Sequence, residues 1–188
     1  SANNYYGILR KKFEPSTLSD LDLWLDASDS STVIHTSNAV TQWRDKSGNA
    51  NHMSGSDAPT TSTRLLNGKN VIDFDGNDYF ESSAAYASGN DFSILMVAGI
   101  DSIDHENDSI FAIRQEAGDP SFQIRAESSS SFQISFYQDG MGTNKQFSSS
   151  AQHGPSIYEF VFNDSTNLLE VFLDSTTLGT TAYTSTPN

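Results

Sequence analysis

Cysteine is absent from the chain, so no disulfide framework and no thiolate metal site can hold it together. No apolar run is long enough to cross a bilayer, and no apolar leader of the secretory type is present. Basic residues are scarce: 10 Lys and Arg stand against 24 Asp and Glu, a net charge of −14. The imbalance is uneven, because residues 1–12 carry +3 through Arg10, Lys11 and Lys12 and the remainder carries −17. An acidic body is a poor ligand for phosphate backbones and anionic lipid, so nucleic acid and membrane insertion are not expected partners. It favours solubility, cations and basic partners. Catalytic signatures are missing too. His35, His52, His105 and His153 form no H-E-x-x-H pair, and no G-x-S-x-G elbow or glycine-rich phosphate loop occurs. No strand carries the E-x-D-x-E array of a retaining glucanase; Glu159 and Glu170 stand singly in their strands. The expectation is a protein that is not an enzyme.

What the chain has is period-two alternation punctuated by polar turns. Leu21 to Asp26 alternates apolar and polar side chains and reads as a strand, as do Val40–Trp43, Val71–Asp75, Phe122–Ala126 and Phe132–Tyr137. Asp75-Gly76-Asn77-Asp78 reads as the turn of a hairpin ending in Tyr79-Phe80. Asp57 to Thr63 reads as a polar loop, since Pro59 cannot donate to a ladder. Phe92 to Ile100 is the most apolar run and reads as a strand buried on both faces. Ile157–Phe162 and Leu168–Leu173 bracket a hairpin loop. Trp24 and Trp43, the two tryptophans, read as core packing before they read as platforms for a sugar ring. Short strands spaced by turns over 188 residues indicate an all-β antiparallel sandwich with one sizeable core.

Residues 1–15 stand apart as an extended N-terminal arm. Tyr5, Tyr6, Ile8, Leu9 and Phe13 flank the basic triplet, and an exposed tail gains nothing from them. A disordered tail is the plain alternative; an arm that docks on another protein is the sharper one. Ser16 to Asp20 reads as a linker or short helical turn, with Ser16 or Ser19 as its N-cap.

The ordered set Leu21-Asp-Leu-Trp-Leu-Asp-Ala-Ser-Asp29, then Val40-Thr-Gln-Trp43 with Arg44-Asp-Lys-Ser-Gly-Asn49, a Pro-containing loop, and Leu66-Asn-Gly68 through Phe80 resembles the N-terminal half of laminin-G-like, concanavalin-A-like jelly rolls. It is most similar to those carried by bacteriophage structural and tail proteins, over roughly a third of the chain. The resemblance implies a two-sheet antiparallel jelly-roll sandwich over residues 16–188. It departs from the family at the end: the one or two closing strands expected after about Tyr183 would come from the arm, a neighbouring chain or a continuation.

The implied role is a virion structural or attachment module, anchored to other virion proteins by Tyr5, Tyr6, Arg10, Lys11, Lys12 and Phe13, assembled as a homo-oligomer and displaying loops to host glycans. Tyr79, Tyr86 and Tyr137 are the candidate sugar-facing aromatics. The alternative role is a carbohydrate-binding module of a larger secreted or cell-surface enzyme or adhesin. Calcium at loop rims is implied as well, with Asp101, Asp104, Glu106 and Asp108 as the candidate oxygen donors and Asp73, Asp75, Asn77 and Asp78 as a second set. A solvated loop and ordinary turn chemistry are the respective plain readings.

Overall fold

A computed structural model describes residues 14–82, 91–101, 108–114, 120–127, 133–138, 145–148 and 154–182. Every strand pairing is antiparallel, and the described residues contain no α-helix. The chain divides into two compact units, Ser1–Ala84 and Ala85–Asn188.

The first unit opens with a single 3-10 turn, Pro15–Thr17. Glu14 occupies its N-cap position without a side-chain capping bond, so neither Ser16 nor Ser19 caps it. Six strands follow: β1 Val33–Thr36, β2 Ala39–Trp43, β3 Met53–Ser56, β4 Thr60–Leu66, β5 Lys69–Asp73 and β6 Tyr79–Glu81. They form one sheet in the order β5-β4-β2-β3-β6, with β1 paired to β2. Two-residue turns make the local hairpins. Ser37 and Asn38 (φ 50° and 73°) join β1 to β2, and Asn67 and Gly68 (φ 50° and 74°) join β4 to β5. Positive φ at both central residues matches the right-handed twist of the flanking strands.

Three sequence expectations change here. Residues 60–66, within and beyond the expected polar loop, form β4; buried Pro59 sits just before it, where its missing N–H costs no ladder bond. The Asp75–Asp78 turn is present, but it does not close a hairpin. β5 and β6 lie at opposite edges of the sheet, paired to β4 and β3. Finally, Leu21–Asp26 is not a ladder strand, because its backbone partners are mostly side chains.

The second unit is a β-sandwich. One sheet is β11-β10-β9-β8, built from β8 Asp108–Arg114, β9 Pro120–Glu127, β10 Gln133–Gln138 and β11 Lys145–Ser148. The other is β14-β13-β12-β7, built from β7 Phe92–Ala98, β12 Ser156–Asn163, β13 Leu168–Leu173 and β14 Thr176–Ala182. Alternation decides the packing. Tyr158, Phe160 and Phe162 point inward from β12 and Leu169, Val171 and Leu173 from β13, meeting Ile124 of β9 and Phe147 of β11 in one buried cluster. The register places Phe92, Ile94 and Met96 of β7 opposite Phe162, Phe160 and Tyr158, and the Phe92 and Phe162 rings sit 5.2 Å apart. Each fully buried side chain of this size contributes about 1.5–3 kcal/mol.

β7 is an edge strand, and it corrects the last expectation. Its inward residues are half-buried and its outward residues Ser93, Leu95 and Val97 are exposed, so the apolar run is covered on one face only. A run this apolar reads as doubly buried when its sheet position is unknown; at an edge with an open outer face it is not.

Candidate functional site

Residues 21–24 and 45–52 of the first unit are joined in one hydrogen-bonded structure. Asp45 is buried, and its carboxylate accepts four hydrogen bonds. The backbone N–H groups of Trp24 (2.9 Å) and Ser47 (2.8 Å) reach Oδ1, and the Ser47 hydroxyl (2.7 Å) and the Asn51 N–H (3.0 Å) reach Oδ2. The Lys46 N–H returns a bond to the Trp24 carbonyl at 2.8 Å. Asn51 Nδ2 donates to the Asp22 carbonyl at 2.9 Å, with Ser47 Oγ 3.1 Å from the same oxygen, and Asn49 Nδ2 donates to the Leu21 carbonyl at 2.9 Å. Asp45, Ser47, Asn49 and Asn51 occur at every second position of a bent segment, in which Gly48 and Ala50 take positive φ (102° and 59°), and all four contact residues 21–24. The opening segment is laced down by side chains instead of by a ladder. His52 completes the turn, its Nδ1 accepting the Asp45 N–H at 3.2 Å.

A charged clamp lies beside this lacing. Lys46 Nζ bonds Asp29 Oδ2 at 2.7 Å and Asp26 Oδ2 at 3.1 Å, and stands 4.4 Å from the centre of the Trp24 ring. Trp24 is thus a cation–π partner at a half-buried position. The Lys46 bond, with that of Ser31, holds the Asp29 carboxyl down at about 2. Burial pushes Asp26 up, but its bonds from Ser28 and Lys46 outweigh burial and the net shift is downward. Asp45 behaves alike: burial raises it, and the donors of Trp24, Ser47 and Asn51 pull it below the ordinary carboxylate range. Lys46 is raised in turn, chiefly by Asp29. Every strong electrostatic interaction here stabilises the chain against itself. Beside it lies a polar hollow of about 300 Å³ floored by Asp20, Asp22, Ser47 and Asn49.

Among the described residues, the exposed aromatics lie elsewhere in the same unit. Phe74, 45% exposed, meets Phe80 edge-on at 5.6 Å, and Phe80 leans on Trp43 at 6.3 Å. Tyr79 is 50% exposed on the edge strand β6. The turn between them is self-contained: Asp75 Oδ1 accepts the Asn77 N–H at 3.0 Å, and Asp78 Oδ2 accepts the Asp75 N–H at 3.1 Å. Asp73 is bound to Arg64 at 3.2 Å. Asp78 is pushed upward by burial and by the charges of Asp75 and Asp57.

Of the expected sugar-facing residues, the structure thus places Tyr79 on an exposed edge. Tyr86 lies outside the described residues, and so does the side chain of Tyr137, which belongs to β10. Of the expected calcium donors, Asp101 is exposed, Asp108 begins β8 with its side chain outside the described residues, and Asp104 and Glu106 lie outside them entirely. Among the described residues, no three His, Cys, Asp or Glu side chains form a group able to hold a metal ion. The arm residues Tyr5, Tyr6, Arg10, Lys11, Lys12 and Phe13 also lie outside. Phe74 is the exposed aromatic that sequence reading passes over; its position next to the turn is the signal that would have found it.

No protein-family model, curated protein or solved structure matches the chain.

Proposed function

We propose that the chain is a non-enzymatic virion structural or attachment protein with a jelly-roll body of the concanavalin-A-like kind. The reading rests on the ordered segments from Leu21 to Phe80. What supports it is that two of these segments, residues 21–24 and 45–51, are tied to each other by Asp45, Ser47, Asn49 and Asn51. The charged clamp works to the same end, holding a display scaffold rigid. Immunogold labelling of particles from the native source, using antibody raised against the chain, tests it. Decorated particles are the expected result; unlabelled particles with all of the antigen in the soluble fraction would overturn it.

One observation favours glycan binding as the scaffold's task, either on a virion or in the alternative role of a carbohydrate-binding module. Phe74 and Tyr79 are large exposed rings on either side of a turn rich in carboxylate and amide oxygens, the combination that stacks on a sugar face and bonds its hydroxyls. A glycan array with the chain and with Phe74→Ala reads this directly. A saccharide signal lost in the variant is expected; a signal unchanged by Phe74→Ala would exclude this surface.

A further inference from the structure

The outer face of the second unit's β14-β13-β12-β7 sheet has an apolar patch at its β7 edge. Leu95 and Val97 are 65% and 63% exposed, and Ile157, opposite Val97, is 46% exposed. Glu159 lies opposite Leu95 on one side and Phe172 on the other. Glu170, two positions from Phe172, turns to the same face. None of the four strands contains Lys or Arg. Exposed apolar surface on an edge strand invites a partner. The two carboxylates specify that the partner be basic as well as apolar.

The chain itself contains one segment of that chemistry. Residues 5–13 hold Tyr5, Tyr6, Ile8, Leu9 and Phe13 around Arg10-Lys11-Lys12, with no acid among them. Nine extended residues reach about 30 Å, while the axes of four adjacent strands span about 15 Å. The segment is long enough to cross the whole face.

We propose that this face is the docking surface for residues 5–13 of a neighbouring copy of the chain. The apolar side chains cover Leu95, Val97, Ile157 and Phe172, and the basic triplet meets Glu159 and Glu170. The docking is independent of where the chain works, and chains linked arm to face assemble head to tail. Light scattering of the full-length chain over a rising concentration series tests it, with two charge-reversed chains and one apolar variant. One chain carries Arg10→Glu, Lys11→Glu and Lys12→Glu; the other carries Glu159→Lys and Glu170→Lys. The parent is expected to self-associate, and association is expected to weaken at least tenfold in each reversed chain and in Leu95→Glu. Mixing the two reversed chains is expected to restore a complex, because the reversed arm now suits the reversed face. Circular dichroism confirms that each variant is folded; all of the substituted side chains on the sheet lie on its outer face. A monomeric parent, an arm-reversed chain that associates like the parent, or a mixture that stays dissociated overturns the proposal.

Discussion

Removing the Asp45 carboxylate should unlace the opening segment of the first unit. In Asp45→Ala the N–H groups of Trp24, Ser47 and Asn51 lose their acceptor together, along with the Ser47 hydroxyl. A buried donor left unsatisfied costs about 1–3 kcal/mol, and bonds to a charged acceptor stand at the upper end. The site borders solvent, so water recovers part of each loss; three donors at about 1–2 kcal/mol each give a total of about 3–6 kcal/mol. Asp45→Asn keeps one acceptor oxygen but turns an amide toward one of the donors, and should cost about 1–2 kcal/mol. Urea unfolding followed by tryptophan fluorescence is the assay, because Trp24 and Trp43 both lie in the first unit and report on it alone. A loss below about 1 kcal/mol in Asp45→Ala would refute the structural role. Asp45 would then be free for some other task.

Acid should loosen the same region. Asp26, Asp29 and Asp45 have folded-state values below the ordinary 3.8, so their stabilisation is complete above about pH 4 and lost as pH falls toward the Asp29 value of about 2. A fluorescence acid titration should show that loss, and Lys46→Met should flatten the portion owed to Asp26 and Asp29. Asp78 has the opposite sign: its raised value means the charged form is disfavoured in the fold, so Asp78→Asn should melt higher than the parent at neutral pH, with the difference closing below about pH 4. In the second unit, Phe160→Ala should cost about 3–5 kcal/mol by thermal unfolding, since Phe160 is fully buried between β7 and β13. Gly55→Ala should disrupt the β3–β6 pairing, because a Cβ there runs into the Tyr79 carbonyl; an unchanged melting temperature would contradict that packing.

The strands most legible in the sequence are those whose alternation is sharpest. β12 and β13 lie where the apolar periodicity puts them, because inward Tyr158, Phe160, Phe162, Leu169 and Val171 can be buried only as one face of a sheet. Leu21–Asp26 shows the same alternation yet forms no ladder, since its nearest neighbour offers carboxylate, hydroxyl and amide groups that satisfy its backbone first. The Asp75–Asp78 turn is readable from composition, but its flanking strands pair elsewhere: turn chemistry reverses the chain without choosing the partner. Among the candidate site residues, Tyr79 is exposed, while Asp73, Asp75 and Asp78 are engaged in local bonds that the spacing alone could not distinguish from a cation site.

Local residue pattern is enough to establish that the chain is built of strands and which side of each sharply alternating strand is apolar, because both follow from neighbours one or two residues away. The charge contrast between residues 1–12 and the acidic remainder is equally plain from the residues alone. Long-range folding is what sends β5 and β6 to opposite edges, gathers donors from residues 24 to 51 on Asp45, and leaves Leu95 and Val97 of β7 in water. Those outcomes depend on which distant segments meet, and strand pairing is settled by the packing of whole faces, which no local pattern encodes.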